Sequence, residues 1–187
     1  MSTPCTLGFR VKSGWAAAVL LGAEQVLDSR IIELADPKVA DSRQPYHAGF
    51  GTAQTDTAKV NRLVRGIERF SQRSVTALVA EYRDDEHRVR RAGVVVASLT
   101  DPARIANQHM RAHASEGRLF RTVLVAALEH CGVTVRVILE REVYELLGGV
   151  LRRSPAEAKR RITALGEGLA RWRAEQKVAA AAAWLVS

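Results

Sequence analysis

Thiols are nearly missing from this sequence. Its 187 residues include two cysteines, Cys5 and Cys131, too few and too far apart for a metal knuckle. One falls in a strand pattern and the other at a helix end, as buried thiols do, so a reducing compartment is expected. Aromatic residues are 5% of the chain, too little for a base-stacking platform. Trp15, Trp172 and Trp184 read instead as packing residues. Long apolar runs are absent too. The stretch MSTPCTLGFRVKSG offers no signal peptide, and VAAAAAWLV is too short to span a bilayer and reads as a buried helix. A cytoplasmic protein without a membrane partner is expected. No P-loop, dinucleotide fingerprint or serine nucleophile elbow is present, which excludes the chemistry those motifs build.

What the chain does have is positive charge. Lys and Arg total 28 against 20 Asp and Glu, for a net charge of +8 and a pI near 10.2. That balance favours anionic partners: nucleic acid, nucleotides or an acidic surface. The length suits one domain over residues 1–187 with a sizeable core. Neither an internal repeat nor a linker is evident.

Three apolar pieces, CTLGFRV, GWAAAVLLG and QVLDSRIIEL, are separated by turn signals at Gly14 and at Gly22–Glu24. They predict an antiparallel meander. Pro37, Pro45 and Gly49 make residues 36–53 a loop long enough to be functional, with Tyr46 and His47 inside it. A helix capped by Thr55 or Asp56 continues to about Arg83, with Val60, Leu63, Val64, Ile67, Phe70 and Leu78 as its buried stripe. AGVVVASL, residues 92–99, reads as a central strand covered on both faces, with Asp101-Pro102 at its exit. A helical stretch through RLFRTVLVAALEHCG closes at Gly132, and VTVRVIL forms a fifth strand. Ser154-Pro155-Ala156-Glu157 is a helix start with a capping box. The order is β-β-β-α-β-α-β-α-α-α.

Several clusters can carry chemistry. Arg10, Lys12, Ser13 and Gly14 at the first turn can hold a phosphate, or can form a charged edge with Phe9 and Val11 pointing inward. Arg62, Arg65, Arg69 and Arg73 share one helix face, as a solvated surface or a phosphate-tracking ridge. His109, His113 and Glu116 fall at i, i+4 and i+7, again on one face. Two imidazoles and a carboxylate can form an acid–base set or hold a metal. The HExxH glutamate is missing, because Met110 follows His109, and Arg111 and Arg118 nearby point to an anion pocket rather than a metal cage. No metal ligands are assigned. Glu140 and Glu142 stand at the end of the fifth strand, as sheet-end ligands or as acids in a helix's first turn. Arg152 and Arg153 form a basic turn.

The element order is that of the ribonuclease-H-like fold, an α/β architecture with a five-stranded mixed sheet flanked by helices. LGFRVKSGWAAAVLL resembles the opening hairpin of the bacterial Holliday-junction resolvase branch, G-(I/V)-D-P-G, a short linker, then G-(Y/W)-a-(V/L). VRVILEREVYELLGGVLRRSPAEAKRRI is similar to that branch's strand, short helix, basic turn and following helix, and RAEQKVAAAAAWLV to its closing helix. The resemblance implies nuclease chemistry by carboxylates clustered around two divalent ions. The first-strand aspartate, however, matches Arg10. The fourth-strand acid falls near Ser98, with Asp101 three residues on, and the closing-helix acids match Glu175 and Val178. Only Glu175 keeps a carboxylate at a matched position, so no divalent metal is expected at that site.

The leading expectation is therefore a domain that binds nucleic acid or another phosphate-bearing anion without two-metal cleavage. Arg10, Lys12, Ser13, Arg62, Arg65, Arg69, Arg73, Arg111, Arg152 and Arg153 are its candidate contacts. Two alternatives stand beside it. One is an enzyme, a phosphodiesterase or hydrolase, with a rearranged site from His109, His113, Glu116, Glu140 and Glu175. The other is a nucleotide-binding protein that uses the first hairpin as the actin-like branch does.

Overall fold

A computed structural model describes residues 3–49 and 52–187. Strands β1 (Thr3–Lys12), β2 (Trp15–Gly22) and β3 (Gln25–Glu33) form the expected meander. Gly14 turns the first hairpin at φ 84°, and its carbonyl accepts from Leu34 N (2.8 Å) and Ala35 N (3.1 Å). The end of β3 is thereby tied to the tip of β1. The later strands, β6 (His87–Val96) and β7 (Thr134–Leu139), add in parallel beyond β1. The five-stranded sheet runs β3-β2-β1-β6-β7, a mixed sheet as anticipated.

The segment read as a loop holds a small hairpin, β4 (His47–Gly49) with β5 (Thr52–Ala53). Three and two residues are too short to show an alternating pattern. Phe50 and Gly51, also part of that predicted loop, lie outside the described residues, as do Met1 and Ser2. β6 begins five residues before the apolar run 92–99 and ends at Val96. Its first half carries exposed Arg88, Arg90 and Arg91, so it has no continuous apolar pattern. It is a strand because it pairs with β1 from Thr3 onward.

Helix α1 (Thr57–Asp84) is capped by Asp56, whose carboxylate accepts from Lys59 N at 2.9 Å. Helix α2 (Gln108–His130) is capped by Asn107 and runs through Gly117 without a break. Gly132 follows its end at φ 74°, as the C-cap signal requires. Short helix α3 (Val143–Leu151) leads into α4 (Pro155–Leu165), where Ser154 and Glu157 make the predicted capping box. Helix α5 (Ala174–Trp184) closes the fold.

Both faces of the sheet are covered. Leu7, Phe9 and Val11 meet α1 and α2 on one side, and Ala17, Val19, Leu21 and Val95 meet α3, α4 and α5 on the other. Each large apolar side chain so buried stabilises the fold by roughly 1.5–3 kcal/mol. The contact with α5 is close because it uses bare backbone. A Cβ on Gly8 would lie 1.8 Å from the Ala179 carbonyl oxygen, and one on Gly93 would lie 2.4 Å from that of Ala182. Thr6 Oγ1 donates to the Ala183 carbonyl at 2.9 Å. This contact accounts for the small residues at Ala179, Ala182 and Ala183, where α5 comes closest to the sheet.

Candidate functional site

The carboxyl ends of β1, β6 and β7 lie together, and two ion pairs occupy that edge. Arg10 shares the covered face with α5 and is only 4% exposed. Its guanidinium grips Glu140, just past β7, through Nε to Oε1 (3.0 Å) and Nη2 to Oε2 (2.5 Å), and Nη1 donates to the Val11 carbonyl. This is a two-pronged, charge-assisted contact. Lys12 Nζ stands 3.8 Å from Glu175 Oε1, an attraction at longer range than a hydrogen bond. The two acids are thus brought to the tip of β1, and each faces a cation. Ser98 bonds Thr100, Asp101 caps a helical turn and meets Arg118 at 3.3 Å, and Val178 is buried. The residues present do not fit a pair of divalent ions, because a guanidinium sits where the first acid would be and, among the described residues, no cluster of free carboxylates replaces it.

Beside this edge lies a cleft of about 460 Å³ between β1, β6 and α2. Its charged walls are Arg10, Lys12, Arg118 and Arg121, its hydroxyls Ser13, Ser98 and Thr100, and among the described residues no carboxylate lines it. Arg118 and Arg121 are one turn apart on α2. Burial and the neighbouring Arg118 press the Arg121 guanidinium below its ordinary value. Both causes disfavour positive charge there, and the charge of an anion in the cleft would offset them. Arg121 was not among the expected contacts; its signal was the three-residue spacing from Arg118.

The other expected cations divide. Arg111 folds back on its own loop, donating to the carbonyls of Ile105 (2.8 Å) and Ala106 (3.3 Å). Arg62, Arg69 and Arg73 line a separate groove with Asp36 and Ser42, while Arg65 lies outside it, exposed. Arg152 and Arg153 are exposed at the α3–α4 turn, Arg152 in a left-handed conformation at φ 53°.

On the other side of the cleft, α2 presents His109 and His113 one turn apart, with His113 also lining the cleft. The small hairpin brings His47 against them. The ring centroids are 4.4 Å apart for His109 and His113, 4.5 Å for His47 and His113, and 5.2 Å for His47 and His109. Glu116 is fully buried, and its Oε1 meets His47 Nδ1 at 2.7 Å. Burial pushes this carboxyl up from its usual range, against the pull of the His47 contact. Burial also holds His113 below the usual imidazole range, helped by His47 and His109. His109, His113 and Glu116 do share one helix face, but the short contact of Glu116 is with His47 from the 36–53 loop, while His113 Nδ1 stands 3.9 Å from its Oε2. Among the described residues, His47, His109 and His113 form a group whose donor atoms lie within 4.8 Å of one another, close enough to share an ion. No hydrogen bond or ion pair among the described residues joins Glu140 or Glu175 to these imidazoles.

Residues 15–134 match the family DUF3708, described as "Phosphate ATP-binding cassette transporter". The chain belongs to this family. The matched part of this DUF3708 member runs from the start of β2 to the start of β7, so it contains all three clustered histidines but neither β1 nor α5. Among its described residues, no helix is long and apolar enough to cross a membrane. No curated protein matches the sequence. Among solved structures, Thermus thermophilus RuvC is similar at a TM-score of 0.55 and 14% identity, over 97% of this chain and 91% of that one. T. thermophilus RuvC in complex with a Holliday junction substrate is similar at the same TM-score and identity, over 97% and 90%. The fold is ribonuclease-H-like and similar to that of RuvC, as the sequence resemblance implied.

Proposed function

We propose that the chain binds nucleic acid through its phosphates, seating the backbone in the cleft at the ends of β1 and β6, without two-metal cleavage at the β1 tip. The cleft itself carries the reading: four cationic side chains and three hydroxyls line it, and no carboxylate does. Lys12, Arg118 and Arg121 supply the charge. Arg10 is held by Glu140 and shapes the wall, while Ser13, Ser98 and Thr100 offer hydroxyls to phosphate oxygens. The net charge of +8 adds long-range attraction for a polyanion. The RuvC-like fold and the junction-bound RuvC neighbour support nucleic acid over other anions.

The test is fluorescence anisotropy with branched, duplex and single-stranded DNA and with RNA, across a salt series. Affinity should fall steeply as salt rises, because each neutralised phosphate releases a counterion. Arg118→Glu with Arg121→Glu should abolish most of the binding. Absent or salt-independent binding overturns the reading. A thermal shift with ATP and none with any nucleic acid would give the cleft to a nucleotide instead.

A further inference from the structure

We propose that His47, His109 and His113 form a binding site for one divalent first-row transition ion of the zinc type. His109 Nε2 and His113 Nε2 stand 3.2 Å apart. A tetrahedral zinc with bonds of about 2.0–2.1 Å sets its nitrogen ligands about 3.3 Å apart. The third donor comes from the hairpin, with all three within 4.8 Å of one another.

The strongest sign is His47. Its side chain is 5% exposed, its Nδ1 is engaged by Glu116, and its Nε2 is buried with no hydrogen-bond partner. A buried lone pair or N–H left unmet is unfavourable, and a ligated ion would satisfy it. The Glu116–His47 pair also has the arrangement that orients a ligating imidazole: the carboxylate takes the N–H at one ring nitrogen and leaves the other free for the ion. His109 and His113 facing each other through Nε2 have a matching need. Two neutral imidazoles so placed share one proton at most, whereas an ion accepts both lone pairs.

Three neutral imidazoles suit zinc, cobalt, nickel or copper, and lack the oxygen ligands that magnesium or calcium prefer. Three protein ligands leave a fourth position for water or an exogenous anion. The site shares His113 with the wall of the cleft but uses none of the cleft's cations, so it does not rest on the nucleic-acid reading.

The test uses untagged full-length protein, stripped with a chelator and then titrated at neutral pH with Zn2+ and Co2+ by calorimetry and visible spectroscopy. One equivalent should bind, with the intense visible bands of low-coordinate Co2+ and a rise in melting temperature, and Mg2+ should do neither. Glu116→Gln should weaken binding by about 10–100-fold while keeping the stoichiometry. His113→Ala should remove the Co2+ bands; the residue is 46% exposed, so circular dichroism should show the fold retained. His130→Ala should change nothing. Failure of the wild type to bind Zn2+ or Co2+ stoichiometrically overturns the proposal, as does binding that His113→Ala and His47→Phe both leave intact.

Discussion

The tip of β1 and the histidine corner of α2 stand on either side of one cleft and solve opposite problems. At the β1 tip every charged group has a partner: Arg10 holds Glu140 through two contacts, and Lys12 faces Glu175. At the corner, His47 Nε2, His109 Nδ1 and Glu116 Oε2 are buried without a hydrogen bond, although Glu116 Oε2 stands 3.9 Å from His113 Nδ1. The sequence resemblance implies a metal site at the first region, yet unmet donors and acceptors lie in the second. What an edge of a sheet can bind is set by which side-chain atoms remain unsatisfied there, and the backbone arrangement alone does not decide it.

The largest disturbance of the first region should come from beneath it. Gly8→Ala drives a methyl group into the Ala179 carbonyl, lifts α5 and takes Glu175 away from Lys12. A loss of about 3 kcal/mol or more is expected in urea unfolding. Gly66→Ala, which meets nothing within 4 Å in the middle of α1, should be neutral or stabilising by up to about 1 kcal/mol. Equal effects from the two would break the claim that α5 sits on bare backbone.

The balance of charge at the tip can be tested directly. Arg10→Asp places like charges together and should cost about 3 kcal/mol, in the range for breaking a buried ion pair. Arg10→Met should cost less, because Glu140 is 42% exposed and can return to water. Millimolar Mg2+ should recover part of the loss in Arg10→Asp and none in Arg10→Met. Recovery in both would mean that Mg2+ stabilises the protein elsewhere.

A smaller effect separates the cleft from other basic surfaces. Arg121→Ala should weaken nucleic-acid binding by about tenfold and reduce the salt slope by about one unit. Joint replacement of Arg62, Arg65, Arg69 and Arg73 by Gln should leave the slope nearly unchanged. The reverse result would move the interface to the α1 ridge.

The smallest effect is a calibration of what a satisfied carboxylate does. Hydrogen bonds from Ser154 hold Glu157 below the ordinary carboxylate range. Its contribution to stability is therefore present above the unfolded-state value and fades as pH falls through the lower folded-state value. In an NMR titration, Ser154→Ala should raise the Glu157 midpoint toward the ordinary range. An unmoved midpoint would assign the shift to the backbone N–H of residue 154, which the variant keeps, and to Arg153 and Arg160.

Most of the fold was legible because its signals are local. Ser154 and Glu157 announce a helix start within four residues, and Gly14 and Gly132 mark a turn and a cap that need positive φ. The site was legible only in part. His109, His113 and Glu116 reveal their common face through helical spacing, whereas the hairpin brings in His47 from 62 positions before His109, which no periodicity records. Arg10 shows the other limit. Alternation placed it outward because Phe9 and Val11 point inward, but β1 is central and its second face is covered by α5, so the side chain is buried and paired. Whether a strand has one covered face or two depends on what packs there from the far end of the chain.

That dependence has a consequence for how the protein is made. The hydrogen bond from Thr6 to Ala183 spans 177 positions, and α5 is the cover for the sheet face that carries Gly8, Ala17, Val19 and Leu21. A ribosome releases β1 and β2 first and α5 long afterwards. Throughout that interval the nascent sheet has an uncovered apolar surface, the kind of exposure that recruits chaperones and invites aggregation. The close fit of α5 on the sheet therefore leaves the chain's synthesis exposed until the α5 segment has emerged.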